Sequence, residues 1–277
     1  MDTPSFQEDH ISQIPALQTL QKLGYTYLSP AEAERFRGGK TTNVLLEEIL
    51  RKQLREINSS IKISSTKTTY ISEANIENGI RALKELPMNE GYISACETAY
   101  NLITLGKAFE QSFDADKKSV TLNYIDWKNV DNNVFHITEE YSVMRSKSKD
   151  HYRPDLVLFI NGIPLCIIEC KRPDMKEPLS QAISQQIRSQ QDDGIRSLYV
   201  YSQLTLSIAT QEAAYATNAT PEKFWAKWIE KFNNDEEESN YRSQLLALKN
   251  QPLPVDLKGK LFADRFKYVR KYFDAME

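Results

Sequence analysis

Hydrophobic positions in the first hundred residues recur at helical spacing. Ile11, Ile14, Leu17, Leu20 and Leu23 form one stripe over residues 6–23, and Gly24 is placed to stop that helix. A short strand is expected at 25–28, then a loop framed by Pro30 and Gly38–Gly39. Leu45, Leu46, Ile49, Leu50 and Leu54 predict a helix over 43–57, and further helices are expected at 73–86 and 94–105. After Gly106 the spacing shortens. Residues 119–125, 134–143, 155–160, 164–170 and 197–205 read as strands, with one helix at 179–191 between the last two. This alternation predicts an α/β fold, a mixed central sheet flanked by helices. Residues 156–160 and 165–168 are apolar at every position, so both strands should be central and covered on both faces.

Composition adds bounds. The chain has 277 residues, 40% of them apolar and 26% charged, enough for one large core. One domain is expected over 1–235, with a helical insertion at about 43–105, and a helical extension over 236–277. No run approaches the roughly 18 apolar residues of a membrane span. The first ten residues, MDTPSFQEDH, lack the basic start and apolar stretch of a signal peptide, so the chain reads as cytoplasmic, with no membrane partner. Three cysteines form no disulfide framework and have no zinc-ligand company. A net charge of −3 does not mark a nucleic-acid binder. Basic residues do cluster, at Arg145, Lys147, Lys149 and Arg153 and again at Lys258, Lys260, Arg265, Lys267, Arg270 and Lys271; solvated faces account for both groups. Scattered His10, His136 and His151 suit structural or exposed roles, and Phe224, Trp225 and Trp228 suit a packing stripe on a short helix.

The chemistry-bearing stretch is RPDLVLFINGIPLCIIECKRP. Asp155 opens the first apolar strand, Glu169 closes the second, and Lys171 lies two residues beyond. Side chains alternate along a strand, so Glu169 and Lys171 share a face and Cys170 takes the other. Asn161–Gly162 supplies a hairpin turn. Two carboxylates and an ammonium at one end of a hairpin suit Mg²⁺, which takes one or two carboxylates together with waters and substrate phosphate. The bland alternative is a Glu169–Lys171 salt bridge at a fraying strand end. Geometry separates the two. A plain two-residue turn would oppose Asp155 to Ile168 and send the carboxylates to opposite faces, so a shared site needs a three-residue loop, a bulge or a bent strand.

Pro154–Asp155 followed by Glu169–Cys170–Lys171 resembles the PD-(D/E)xK nuclease motif. The wider stretch resembles the N-terminal nuclease domain of the R (restriction and translocation) subunit of type I restriction enzymes. EDHISQIPALQTLQKLGYTYLS, IDWKNVDNNVFHITEEY, SLYVYSQLTLSIATQEAAYAT and FWAKW extend the resemblance over most of residues 6–230. It implies a restriction-endonuclease-like core and a magnesium-dependent endonuclease, a type I site-specific deoxyribonuclease. Asp155, Glu169 and the Cys170 carbonyl would hold Mg²⁺, and Lys171 would position or activate water. Glu8 matches an acidic residue of the family's first helix. Gln185 matches the glutamine of a Gln-x-x-x-Tyr motif, with Gln181, Gln186 and Gln190 leaving that assignment open; Ser189 stands where the motif has tyrosine.

Implied partners are double-stranded DNA, the specificity and methylation subunits of a restriction complex, and an ATP-driven motor domain of the same full-length chain. ATP belongs to that motor. The stretch Gly38-Gly39-Lys40-Thr41 is no P-loop, since Glu34 stands where its first glycine should be. The chain therefore reads as an N-terminal fragment whose last helix, over 260–273, faces the motor or DNA. Two alternatives are a stand-alone PD-(D/E)xK nuclease and a non-catalytic assembly module.

Overall fold

Seven strands form one mixed sheet in the order Thr26–Leu28, Phe135–Glu139, Leu156–Ile160, Ile163–Lys171, Leu204–Ala209, Glu212–Ala216 and Ala226–Lys227. The first pair is parallel, as is the pairing of Ile163–Lys171 with Leu204–Ala209; the other neighbours run antiparallel. The computed structural model describes residues 12–62, 68–113, 116–172, 174–209 and 212–262. Glu8 and most of the helix expected over 260–273 lie outside them.

The two all-apolar strands sit at the centre of this sheet because their side chains feed two cores at once. Val157, Phe159, Ile163, Leu165 and Ile167 join one core with Leu50, Leu54, Ile76, Ile80 and Leu102. Those last residues come from helices Glu47–Ile57, Glu73–Lys84 and Tyr92–Leu105, which lie between the first two sheet strands in sequence. Leu156, Leu158, Ile168 and Cys170 face the opposite way, against Leu17 of helix Ile14–Lys22 and Leu261 of helix Val255–Phe262. Burying each such side chain stabilises the fold by about 1.5–3 kcal/mol, which makes the double coverage of this hairpin the main anchor of the sheet. Helix Pro178–Ser189 packs Leu179 and Ile183 against Ala214, Ala216 and Trp225.

Several expectations are corrected. Residues 30–36 form a helix, Pro30–Phe36, because Ser29 and Glu32 make a reciprocal capping box ahead of Pro30. The helix expected from residue 43 starts at Glu47, after Asn43 has tied its side chain to Arg37 O and Glu47. The strand expected at 197–205 divides into a helical turn, Arg196–Tyr199, and the strand Leu204–Ala209. Phe224 and Trp225 do not lie on a packing helix. A single 3₁₀ turn, Glu222–Phe224, leads into the edge strand Ala226–Lys227, with Trp228 stacked edge-on against Tyr215. Strand Lys107–Phe113, the partner of Asp116–Leu122, was unexpected. Residues 236–262 carry helices Asp235–Asn250 and Val255–Phe262, the second seating Leu261 on the sheet. Among the described residues no helix is long and apolar enough to cross a membrane.

Candidate functional site

The hairpin turn has two residues, Asn161 and Gly162, at φ 52° and 83°, both left-handed as a type I′ turn requires. Ile163 pairs with Ile160 and Pro164 with Phe159, but the next pairs are Cys166 with Leu158, Ile167 with Val157 and Ile168 with Leu156. One extra residue has entered the longer strand between Pro164 and Cys166, a β-bulge. Continued by one pair, the shifted register opposes Asp155 to Glu169 and not to Ile168. The tight turn and the shared carboxylate end coexist because the bulge corrects the register.

Asp155, Glu169 and Lys171 are buried, Glu169 almost completely at 1% exposure. The Cys170 N–H donates to Asp155 Oδ2 at 2.7 Å, Lys171 Nζ lies 3.9 Å from the same oxygen, and Nζ donates to the Cys170 carbonyl at 3.1 Å. Gln185, one turn from the end of its helix, donates from Nε2 to Glu169 Oε2 at 2.7 Å. Burial first, then the neighbouring Asp155 charge, holds the Glu169 carboxyl well above the usual carboxylate range, while Lys171 pulls it down.

The other glutamines of this helix do different work. Gln181 donates to Lys176 O, and Gln190 donates to Gln186 O. Gln186 is fully buried, donating to the Ile167 and Leu206 carbonyls and accepting from the Tyr199 hydroxyl at 2.7 Å. It ties the helix to the two central parallel strands. Ser189, Gln185 and Glu169 line a small cleft of about 70 Å³ together with Arg153 and Arg188.

Four further residues at this end, Gln13, Tyr27, Glu139 and Glu140, were not among the sequence candidates. The Glu140 N–H donates to the Asp155 carbonyl at 3.0 Å, from a left-handed backbone at φ 48°. Loss of solvation, then the Asp155 and Glu139 charges, push its carboxyl up to about 7 against the pull of Arg153. Glu139 is buried, accepting from Tyr27 Oη at 2.5 Å and from Gln13 Nε2 at 3.3 Å, and Gln13 also donates to Asp155 O. Two acidic residues in HITEEY, at the end of an apolar strand, were the only hint.

The groups here that could hold a metal are the Asp155 and Glu169 carboxylates and the Cys170 carbonyl. Among the described residues no group of three or more His, Cys, Asp or Glu side chains is placed to hold a metal ion. Two carboxylates with water and substrate oxygens satisfy Mg²⁺, so these residues fit that ion; an all-oxygen set does not suit zinc, which favours His nitrogen and Cys sulfur.

A family model described as type I restriction enzyme R protein N terminus matches residues 5–224. The MjaIXP type I restriction enzyme endonuclease subunit of Methanocaldococcus jannaschii is 24% identical over 263 residues, 91% of this chain and 24% of that protein. The MjaVIIIP endonuclease subunit of the same organism is 31% identical over 207 residues, 74% of this chain and 18% of its own length. The HindI endonuclease subunit of Haemophilus influenzae is 27% identical over 201 residues, 71% of this chain and 18% of that protein. The chain thus spans about a fifth to a quarter of the length of these relatives.

Proposed function

Because the chain belongs to the family of type I restriction enzyme R protein N termini, we propose that it is the DNA-cleaving domain of such an R subunit, hydrolysing phosphodiesters with Mg²⁺ held by Asp155 and Glu169. The observation that carries this reading is the bulge between Pro164 and Cys166, which sets the two carboxylates together beside Lys171. An ordinary hairpin with this turn would have separated them.

Mg²⁺, when bound, acidifies a water molecule and neutralises charge on the phosphoryl oxygens. The protein's part is positioning. The Cys170 N–H fixes one Asp155 oxygen and Gln185 fixes one Glu169 oxygen, which sets how the two carboxylates would be presented to the metal. Lys171 stands between Asp155 and the Cys170 carbonyl, where its ammonium orients the attacking water and offsets developing negative charge. Arg153 and Arg188, on the rim of the cleft, meet the flanking phosphates of the DNA strand. Asp155 and Glu169 would have to be ionised to hold Mg²⁺, as carboxylate ligation demands. Glu8, outside the described residues, is the family's position for a further carboxylate.

The relatives are several times longer, so the working assembly in this reading includes an ATP-driven motor domain and the specificity and methylation subunits. The motor delivers DNA to the cleavage centre, raising its effective concentration there. The test uses the assembled enzyme. Asp155→Ala should abolish cleavage of plasmid DNA and Lys171→Ala should slow it strongly, while ATP hydrolysis continues in both. Cleavage at the wild-type rate by the Asp155→Ala assembly would refute the assignment.

A further inference from the structure

A cleft lined by several basic residues lies apart from Asp155 and Glu169. It has a volume of about 890 Å³ and is lined by Arg35, Arg37, Lys40, Arg51 and Lys84 among others. Three of these cations are already neutralised: Arg35 by Glu48 at 3.4 Å, Arg51 by Glu77 at 2.5 Å, and Lys84 by Glu47 at 2.5 Å. Arg37 and Lys40 have no carboxylate partner among the described residues.

Arg37 is the unusual one. It is only 3% exposed, at the end of helix Pro30–Phe36, with its guanidinium 4.5 Å from the centre of the Tyr141 ring. One Nη donates to the Ser142 carbonyl at 2.7 Å, while Nε is buried with no partner among the described residues. A buried cation with an unused donor and no carboxylate in direct contact among the described residues is costly, so an anion that reaches it would stabilise the site. Lys40 is exposed, and the loop that carries it is held in place. Gly38 and Gly39 turn the chain at φ 80° and 70°, the Met144 N–H donates to Thr41 O, and Thr41 Oγ1 meets His151 Nε2 at 2.9 Å. The loop joins two helices and lacks the strand-to-helix context of a P-loop, so its chemistry is a pair of cations and not a backbone cradle.

We propose that this cleft binds a phosphorylated ligand, with Arg37 and Lys40 holding the phosphate. Anionic oxygens match both a guanidinium edge and an ammonium. The volume exceeds what one phosphate fills, and Phe36, Leu86, Met88 and Tyr201 supply apolar wall for the attached sugar and base. A DNA strand and a free nucleotide share this chemistry. The proposal is independent of the cleavage reading, because none of its residues belongs to the carboxylate cluster.

The test is a titration of the full chain in EDTA, so that no cleavage intervenes, with inorganic pyrophosphate, AMP and a short labelled duplex in separate arms. The Arg37 Nε–H resonance should move on adding the probe that binds, and Lys40→Ala should weaken that binding about fivefold, the worth of one surface ionic contact. Lys117→Ala, at an exposed position of strand Asp116–Leu122, should leave it unchanged. Arg37→Gln should weaken it further; if that variant fails to fold, Lys40→Ala and the resonance shift decide. A response to the duplex alone identifies DNA as the source of the phosphate, and a response to AMP and pyrophosphate identifies a free nucleotide. Probes that do not bind, that bind Lys40→Ala as well as wild type, or that leave the Arg37 resonance unmoved overturn the proposal.

Discussion

Gln185 Nε2 donates to Glu169 Oε2 at 2.7 Å, and this bond joins the helix Pro178–Ser189 to the carboxylate end of the central hairpin. It fixes one oxygen of a buried carboxyl beside Asp155. Gln185→Ala should therefore lower single-turnover cleavage by the assembled enzyme about tenfold, the loss of one hydrogen bond to a charged group. Because Gln185 is only half-buried, the melting temperature should stay within about a degree or two of wild type. Equal loss of cleavage and of folding would assign the residue a structural role instead.

The turn residue Gly162 makes a separate prediction about stability. Its φ of 83° disfavours any side chain, and a Cβ there would lie 2.6 Å from the Leu46 carbonyl, which precedes helix Glu47–Ile57. That backbone cannot step aside easily, since the Leu46 N–H donates to the Gly162 carbonyl at 2.9 Å. Gly162→Ala should cost about 2–4 kcal/mol, read as a lowered midpoint in urea unfolding. An unchanged midpoint would contradict this account of the turn.

Much of this was legible because the relevant stretch is apolar without interruption. A short run of this kind, bounded by the Asn161–Gly162 turn, reads as a strand covered on both faces, and Leu156–Ile160 with Ile163–Lys171 is that hairpin. Asp155, Glu169 and Lys171 stood out because charges are conspicuous at the ends of apolar strands, whereas Gln185 was named only through the family resemblance, and its contact with Glu169 is what separates it from Gln181, Gln186 and Gln190. The bulge that unites the two carboxylates was visible only as a requirement, since nothing in IPLC marks where an extra residue enters. Gln13, Tyr27, Glu139 and Glu140 reach Asp155 or each other across more than a hundred residues or through a loop, and single-chain periodicity carries no such information. Strand Lys107–Phe113 was missed because its sequence, KAFEQSF, has too few β-branched residues to declare itself. The helix Pro30–Phe36 was hidden behind Pro30, which opens a helix as readily as it breaks one.

His136 predicts how the fold responds to acid. Burial, and then the Lys260 charge, push its imidazole down to about 4, and its Nδ1 is buried without a partner among the described residues. The folded protein holds the ring neutral while the unfolded chain protonates it near pH 6.5. Its contribution to stability is complete above about pH 6.5 and falls away as the pH drops towards 4, a loss on the order of 2 kcal/mol. His136→Phe should flatten that part of the stability–pH curve, measured by urea unfolding at a series of pH values. A variant that tracks wild type across the window would contradict the assignment.

The central claim is that Asp155 and Glu169 jointly hold the metal used for cleavage. Its most direct measurement is the Mg²⁺ concentration dependence of plasmid cleavage by the assembled enzyme at saturating ATP, with ATP hydrolysis followed in the same samples. In Glu169→Gln, which keeps the shape of the side chain but loses its charge, the account predicts that cleavage is lost or needs at least about tenfold more Mg²⁺, the cost of one charged ligand. The ATP hydrolysis curve should be unmoved. Cleavage by Glu169→Gln with the Mg²⁺ dependence of wild type would show that the metal is held elsewhere.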